Sequence, residues 1–194
     1  MQNQESVSTI IEVFSKCLYA FGLPFFCRLL YSVVPRKDGK FWTAVIGVSC
    51  YFLFGMTIFT NDMFNVTLDL LWFTALMLVA FKGRALPKLA SVAIFYPLVI
   101  SLNFLIQDLL GVVYLSLDAT LFASIFCYLS DAFLHILFWY VLYRLFHQRL
   151  YDFSRLVDQN TWILLGTVCL ASLVSITTVI YCAPAQSCKI WVCA

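Results

Sequence analysis

Residues 41–60, FWTAVIGVSCYFLFGMTIFT, run on without a single charged side chain. A helix of about 20 apolar residues is the length that crosses a hydrocarbon layer about 30 Å thick. The chain repeats this pattern. Further apolar runs lie at 8–34, 64–81, 89–115, 119–146 and 161–182, divided by the breaks PRKDGK (35–40), TNDM (60–63), KGRALPK (82–88), SLD (116–118) and HQRLYDFSRLVDQN (147–160). The runs are about twice as long as a barrel strand needs and lack period-two alternation, so strands are not expected. The expected fold is all-α: one polytopic transmembrane helical bundle over residues 1–194, with about six spans.

Composition agrees with lipid as the solvent. A 194-residue soluble domain cannot hide a chain that is 63% hydrophobic, holds 19 Phe and is only 11% charged. The net charge of +2 is small and no basic run occurs, which argues against a nucleic-acid partner. The eight cysteines form no C-x-x-C pair and most lie inside apolar runs, where they read as small packing groups. Cys182 and Cys188 are the two placed to bridge outside the membrane. The opening MQNQES lacks the basic start of a cleavable signal peptide.

The first run is the least clean, with Glu12, Lys16, Pro24 and Arg28. It either spans, with Glu12 and Lys16 paired at i,i+4, or lies partly in the interface. Orientation follows the basic residues. Arg36, Lys37, Lys40, Lys82, Arg84, Lys88, Arg144, Arg149 and Arg155 all fall in or beside the first, third and fifth breaks. The second and fourth breaks hold none, so the first, third and fifth are expected in the cytoplasm. The stretch after Tyr181 is then outside, and so is the N-terminus if the first run spans. KIWVCA (189–194) reads as the start of another apolar run cut short, a truncated seventh span.

Polar groups inside the runs are the candidate site. They are Asp69, Asn103, Gln107, Asp108 and Asp131, with His135 one turn beyond Asp131. A charged carboxylate at mid-bilayer costs about 2.5–3.5 kcal/mol, so such groups face the bundle interior or a wet cavity. Ser124, Tyr128, Asp131 and His135 share one helical stripe, and Asp131 falls roughly 18 Å in from Ala119 by helical rise. Asp131 and His135 are expected to floor a polar cavity open to the outside. Asp69, Gln107 and Asp108 would line its mouth. Hydrogen-bonded glue between helices is the competing reading, and the stronger one for Asn103 and Gln107.

Catalytic patterns are missing. The sequence has two His in all and no zinc-ligand spacing, no G-x-S-x-G, no P-loop and no G-x-G-x-x-G. Cys127 and His135 stand about 12 Å apart along one helix, too far to act as nucleophile and base. No enzyme activity and no cofactor are expected.

From about Lys40 to Trp191 the chain resembles the membrane region of bacterial sensor histidine kinases of the GHKL-ATPase type. The likeness rests on segment order with short outer loops, the basic break KGRALPK (82–88), the connector LYDFSRLVDQNTWILL (150–165) and the tail YCAPAQSCKIW (181–191). It implies a sensor module in the bacterial plasma membrane that detects a small-molecule or peptide signal from outside and pairs as a homodimer. In that family a further membrane helix leads to a phosphoacceptor His and an ATP-binding domain. Neither lies within these residues, so no kinase residue carries over. The alternatives are a small substrate-binding transporter subunit and an accessory membrane protein without a ligand. For the transporter, the first run CLYAFGLPFFC lacks the Ala-x-x-x-Ala contact pattern of vitamin-capture components.

Overall fold

The computed structural model describes residues 10, 11, 13–54, 63–117 and 120–182. These form helices α1 (Val13–Phe21), α2 (Leu23–Val33), α3 (Lys40–Phe54), α4 (Met63–Ala80), α5 (Ala85–Ser116), α6 (Leu121–Leu156) and α7 (Gln159–Cys182). Among the described residues there is no strand, only one isolated antiparallel bridge between Arg36 and Phe81. The expected all-α fold is therefore present. Helices α5, α6 and α7 are each long and apolar enough to cross a membrane. The α1–α2 pair, bent by 40°, adds a fourth if counted as one broken span, and α3 and α4 are shorter apolar helices.

The bend in the first run has a local cause. Pro24 sits in the first turn of α2, where its missing N–H removes nothing from the helix it begins. Just before it, Gly22 lies against α6, where an added Cβ would stand 3.5 Å from the Ile136 Cα. The kink therefore packs against the backbone of α6 at ordinary van der Waals distance.

Helix α5 is the central pillar and touches α2, α3, α4, α6 and α7. Its sequence is apolar on every side, the mark of a helix surrounded by others. Ala90, Ser91 and Ala93 allow α7 to come close, opposite Gly166. By contrast α7 packs mainly on α5 and is largely exposed. The core is strongly aromatic. Phe26, Phe54, Phe73, Phe95, Tyr96 and Trp139 join α2 through α6.

The two turns that carry the first and third breaks are stitched together. The Lys37 N–H donates to the Ala80 carbonyl at 3.0 Å and the Lys82 N–H to the Pro35 carbonyl at 2.8 Å. Lys82 also pairs with Asp38 and holds its carboxyl below the usual range. Gly39 and Gly83, with φ of 118° and 94°, supply the left-handed backbone on each side of this clasp. At the neighbouring end of α6, the Ser154 hydroxyl donates to the Ser32 carbonyl of α2 at 3.1 Å.

Two expectations need correction. The fifth break is mostly helix: α6 continues unbroken to Leu156, leaving only Val157 and Asp158 between it and α7. Phe153 packs edge-on against Trp162 of α7, which rewards the added turns. Asp158 then begins α7 as its cap. The hydroxyl and backbone N–H of Thr161 both donate to it and hold its carboxyl below the usual range. Lys88 is no solvated loop cation either. It is buried, and its ammonium donates to the Leu78 carbonyl at 3.1 Å, completing the C-terminal end of α4. Cys27, Cys50 and Cys127 are buried free thiols, as packing groups should be. Glu12, Asp62, Cys188 and the tail KIWVCA lie outside the described residues.

Candidate functional site

The kink between α1 and α2 brings Tyr19 to α6. Its hydroxyl donates to the Asp131 Oδ2, and its ring meets His135 edge-on, with centroids 4.9 Å apart. Asp131 and His135 themselves approach to 3.5 Å between Oδ1 and Nε2, without hydrogen-bond geometry. The chief partner of Asp131 is therefore Tyr19, with His135 a close neighbour. All three are largely or fully buried.

The buried stripe of α6 runs Ala123, Cys127, Asp131, His135 and Trp139. This is rotated from the expected one, because Ser124 and Tyr128 are only half-buried. Cys127 marks the contact with α5, its thiol donating to the Leu110 carbonyl at 3.5 Å. One turn past His135, Trp139 stacks on Phe54 at 5.3 Å and meets Phe26 edge-on. The His135 Nδ1 and the Trp139 Nε1 are both buried with no hydrogen-bond partner among the described residues. The Asp131 Oδ1 is a third such atom. Stranding a buried polar atom costs about 1–3 kcal/mol, so three on one stripe call for a functional reason.

The remaining candidates do not join this cluster. Asn103 is buried on the inward side of α5 and Gln107 is half-buried at its edge. Asp108 is exposed, on the outward stripe that also carries Leu105, Leu109 and Val112. Asp69 is half-buried on α4, one turn beyond Val66, whose carbonyl accepts from the Tyr96 hydroxyl of α5. Helix α4 packs on α3 and α5 rather than on α6. Sequence reasoning found Asp131 and His135 but missed Tyr19. A buried carboxylate demands a donor, yet ten tyrosines offered themselves and nothing in the order of residues singled one out.

Among the described residues no three His, Cys, Asp or Glu side chains are grouped to hold a metal ion. The cluster consists instead of a phenol donor, a carboxylate acceptor and two unengaged ring nitrogens set in an aromatic wall. It is suited to holding a small polar group, or to exchanging one set of hydrogen bonds for another when its helices shift. Comparison with family models, curated proteins and solved structures finds no match to this chain.

Proposed function

We propose that this chain is a signal-detecting module of the bacterial plasma membrane, with six spans formed by the kinked α1–α2 pair and α3 to α7. The cluster of Tyr19, Asp131 and His135 is its sensing element. The observation that carries this reading is the pair of unpartnered buried nitrogens on His135 and Trp139, beside the Tyr19–Asp131 bond. Polar groups retained at such expense inside an apolar bundle mark a site of function more often than a site of packing. Depth supports it. Asp131 lies ten residues from Leu121 and thirteen from Arg144, or about 15 and 20 Å by helical rise, which is mid-bilayer. From there α6 runs as one rod to Leu156, so motion at the cluster reaches the inner surface through a single rigid element. The resemblance to GHKL-type sensor kinases supports the same role. A histidine kinase partner module and a homodimer follow from that likeness alone.

Orientation is tested first. Single cysteines at Asp62 and Ser116, in a background without native cysteines, are expected to react with an impermeant thiol reagent in intact cells. Cysteines at Ala85 and Asp152 should react only after the cells are opened. The opposite pattern would invert the bundle.

Function is tested in the native host with chromosomal Tyr19→Phe and Asp131→Asn. Both variants are expected to insert at normal levels and to shift the same small set of transcripts. Unchanged transcripts with altered accumulation of a solute would replace the sensor by a substrate-capture subunit.

A further inference from the structure

A second region, apart from the Asp131 cluster, combines two cavities. A groove of about 440 Å³ runs between α4 and α7 over the flank of α5. Leu70 and Leu71 of α4, Ala90 and Ala93 of α5, and Gly166 and Leu170 of α7 line it, and its walls are almost wholly apolar. The small side chains of Ala90, Ala93 and Gly166 give it width. Along α7 it extends from Trp162 to Leu173, about 16 Å by helical rise. A cavity of about 430 Å³ lies at the end of the bundle where α5 starts and α6 turns into α7. Arg84, Ser154 and Gln159 make this one polar. Leu86 and Trp162 line both, so the apolar groove and the polar cavity are neighbours that share these two side chains.

Arg84 is the one charged side chain among those that line this cavity. Lys82 is engaged by Asp38, and Lys88 by the Leu78 carbonyl, which leaves Arg84 as the cation of this turn that lines the cavity. Arg84 is also the cap residue of α5. It gives that helix no side-chain cap, and no acidic residue occupies the first turn. The positive end of the α5 dipole therefore adds to the guanidinium. Asp158 is turned to Thr161 at the start of α7. An apolar slot beside a basic pocket at the inner surface has the chemistry of an anionic amphiphile, and basic pockets between membrane helices on that side receive lipid headgroups.

We infer that this region binds one anionic phospholipid, with an acyl chain in the α4–α5–α7 groove and its phosphate against Arg84 and Gln159. The lipid supplies the packing that α7 lacks on its α4 side, and it ties α7 to the bundle. A second copy of the chain is the weaker occupant, because its helices would bring apolar side chains to a pocket that asks for negative charge.

Trp162 reports on both cavities. The purified full chain is placed in phosphatidylcholine nanodiscs holding an equal mole fraction of either phosphatidylglycerol or phosphatidylcholine with brominated acyl chains. The quenching lost on Trp162→Phe isolates the signal of that residue. Brominated phosphatidylglycerol is expected to be enriched at Trp162 about fivefold over brominated phosphatidylcholine, the worth of one basic contact near a membrane surface. Arg84→Ala should erase the preference without ending quenching, and Arg84→Lys should restore much of it. Gly166→Phe should cut quenching by both lipids. Equal quenching by the two lipids in the wild type overturns the proposal, and so does a preference that survives Arg84→Ala. Two chains per disc with Trp162 shielded from either lipid would assign the groove to a second copy and overturn it as well. Arg84→Ala itself is an exposed change and leaves the fold intact to be measured.

Discussion

Trp139→Ala is expected to lower stability by about 3–5 kcal/mol, the range for emptying a fully enclosed aromatic site. Trp139 has no exposed surface. It stacks parallel on Phe54 and meets Phe26 and Phe138 edge-on, joining α2, α3 and α6 at one point. Removing the indole opens a hole that three helices cannot close without giving up the ring contacts that set their spacing. Unfolding of the detergent-solubilised chain by increasing fractions of denaturing detergent gives the measurement. Phe133→Ala, on the exposed side of the same helix, serves as control and should change little. A Trp139→Ala loss no larger than the control would mean that the aromatic cluster does not hold the bundle.

The second large effect is expected at Asp131, where the order of variants matters more than any single value. Asp131→Leu strands the Tyr19 hydroxyl and removes the polar neighbour of His135, a loss of about 1–3 kcal/mol. Asp131→Asn should cost much less, because its amide oxygen still accepts from Tyr19. The combination of Tyr19→Phe with Asp131→Leu should recover most of what Asp131→Leu alone loses, since donor and acceptor then leave together. The same unfolding titration, arranged as a double-mutant cycle, reads the coupling. Additive losses would show that Tyr19 and Asp131 do not act as a pair, and the sensing cluster would lose its anchor.

Spacing made part of this site legible. Asp131 and His135 at i,i+4 had to share a face, and a carboxylate in an apolar run had to turn inward. The partner on a distant helix was beyond reach, because Tyr19 arrives through the bend between α1 and α2, and which side chain such a bend delivers is a tertiary matter. Asp108 shows a different limit. Helix α5 is apolar all round, so its sequence gives no moment from which to tell its inward from its outward side, and Asp108 fell on the latter. The fifth break was misread because polarity marks departure from lipid, while a helix does not end where lipid ends. Phe146, Leu150, Phe153 and Val157 kept helical spacing through that stretch, a signal that the charged residues between them obscured. Lys88 reads as a loop cation until the carbonyls at the end of α4 are placed beside it.

The clasp between the Pro35–Asp38 and Ala80–Lys82 turns, with the Ser154–Ser32 bond beside it, has a mechanical meaning. It fastens α2, α3, α4, α5 and α6 to one another at the same end of the bundle. Toward the opposite end, α3, α4 and α5 are held by single side-chain bonds, Tyr51 to the Lys16 carbonyl, Tyr96 to the Val66 carbonyl and Cys127 to the Leu110 carbonyl, rather than by a backbone clasp. A bundle clasped through its backbone at one end and tied only by single side-chain bonds toward the other deforms like a fan: its members splay about the clasped end, and displacement grows with distance from it. The Tyr19–Asp131 bond sits partway along the blades, where a modest splay stretches a bond whose length tolerance is a few tenths of an ångström. The fan thereby converts a broad, soft movement at its rim into the making or breaking of one contact.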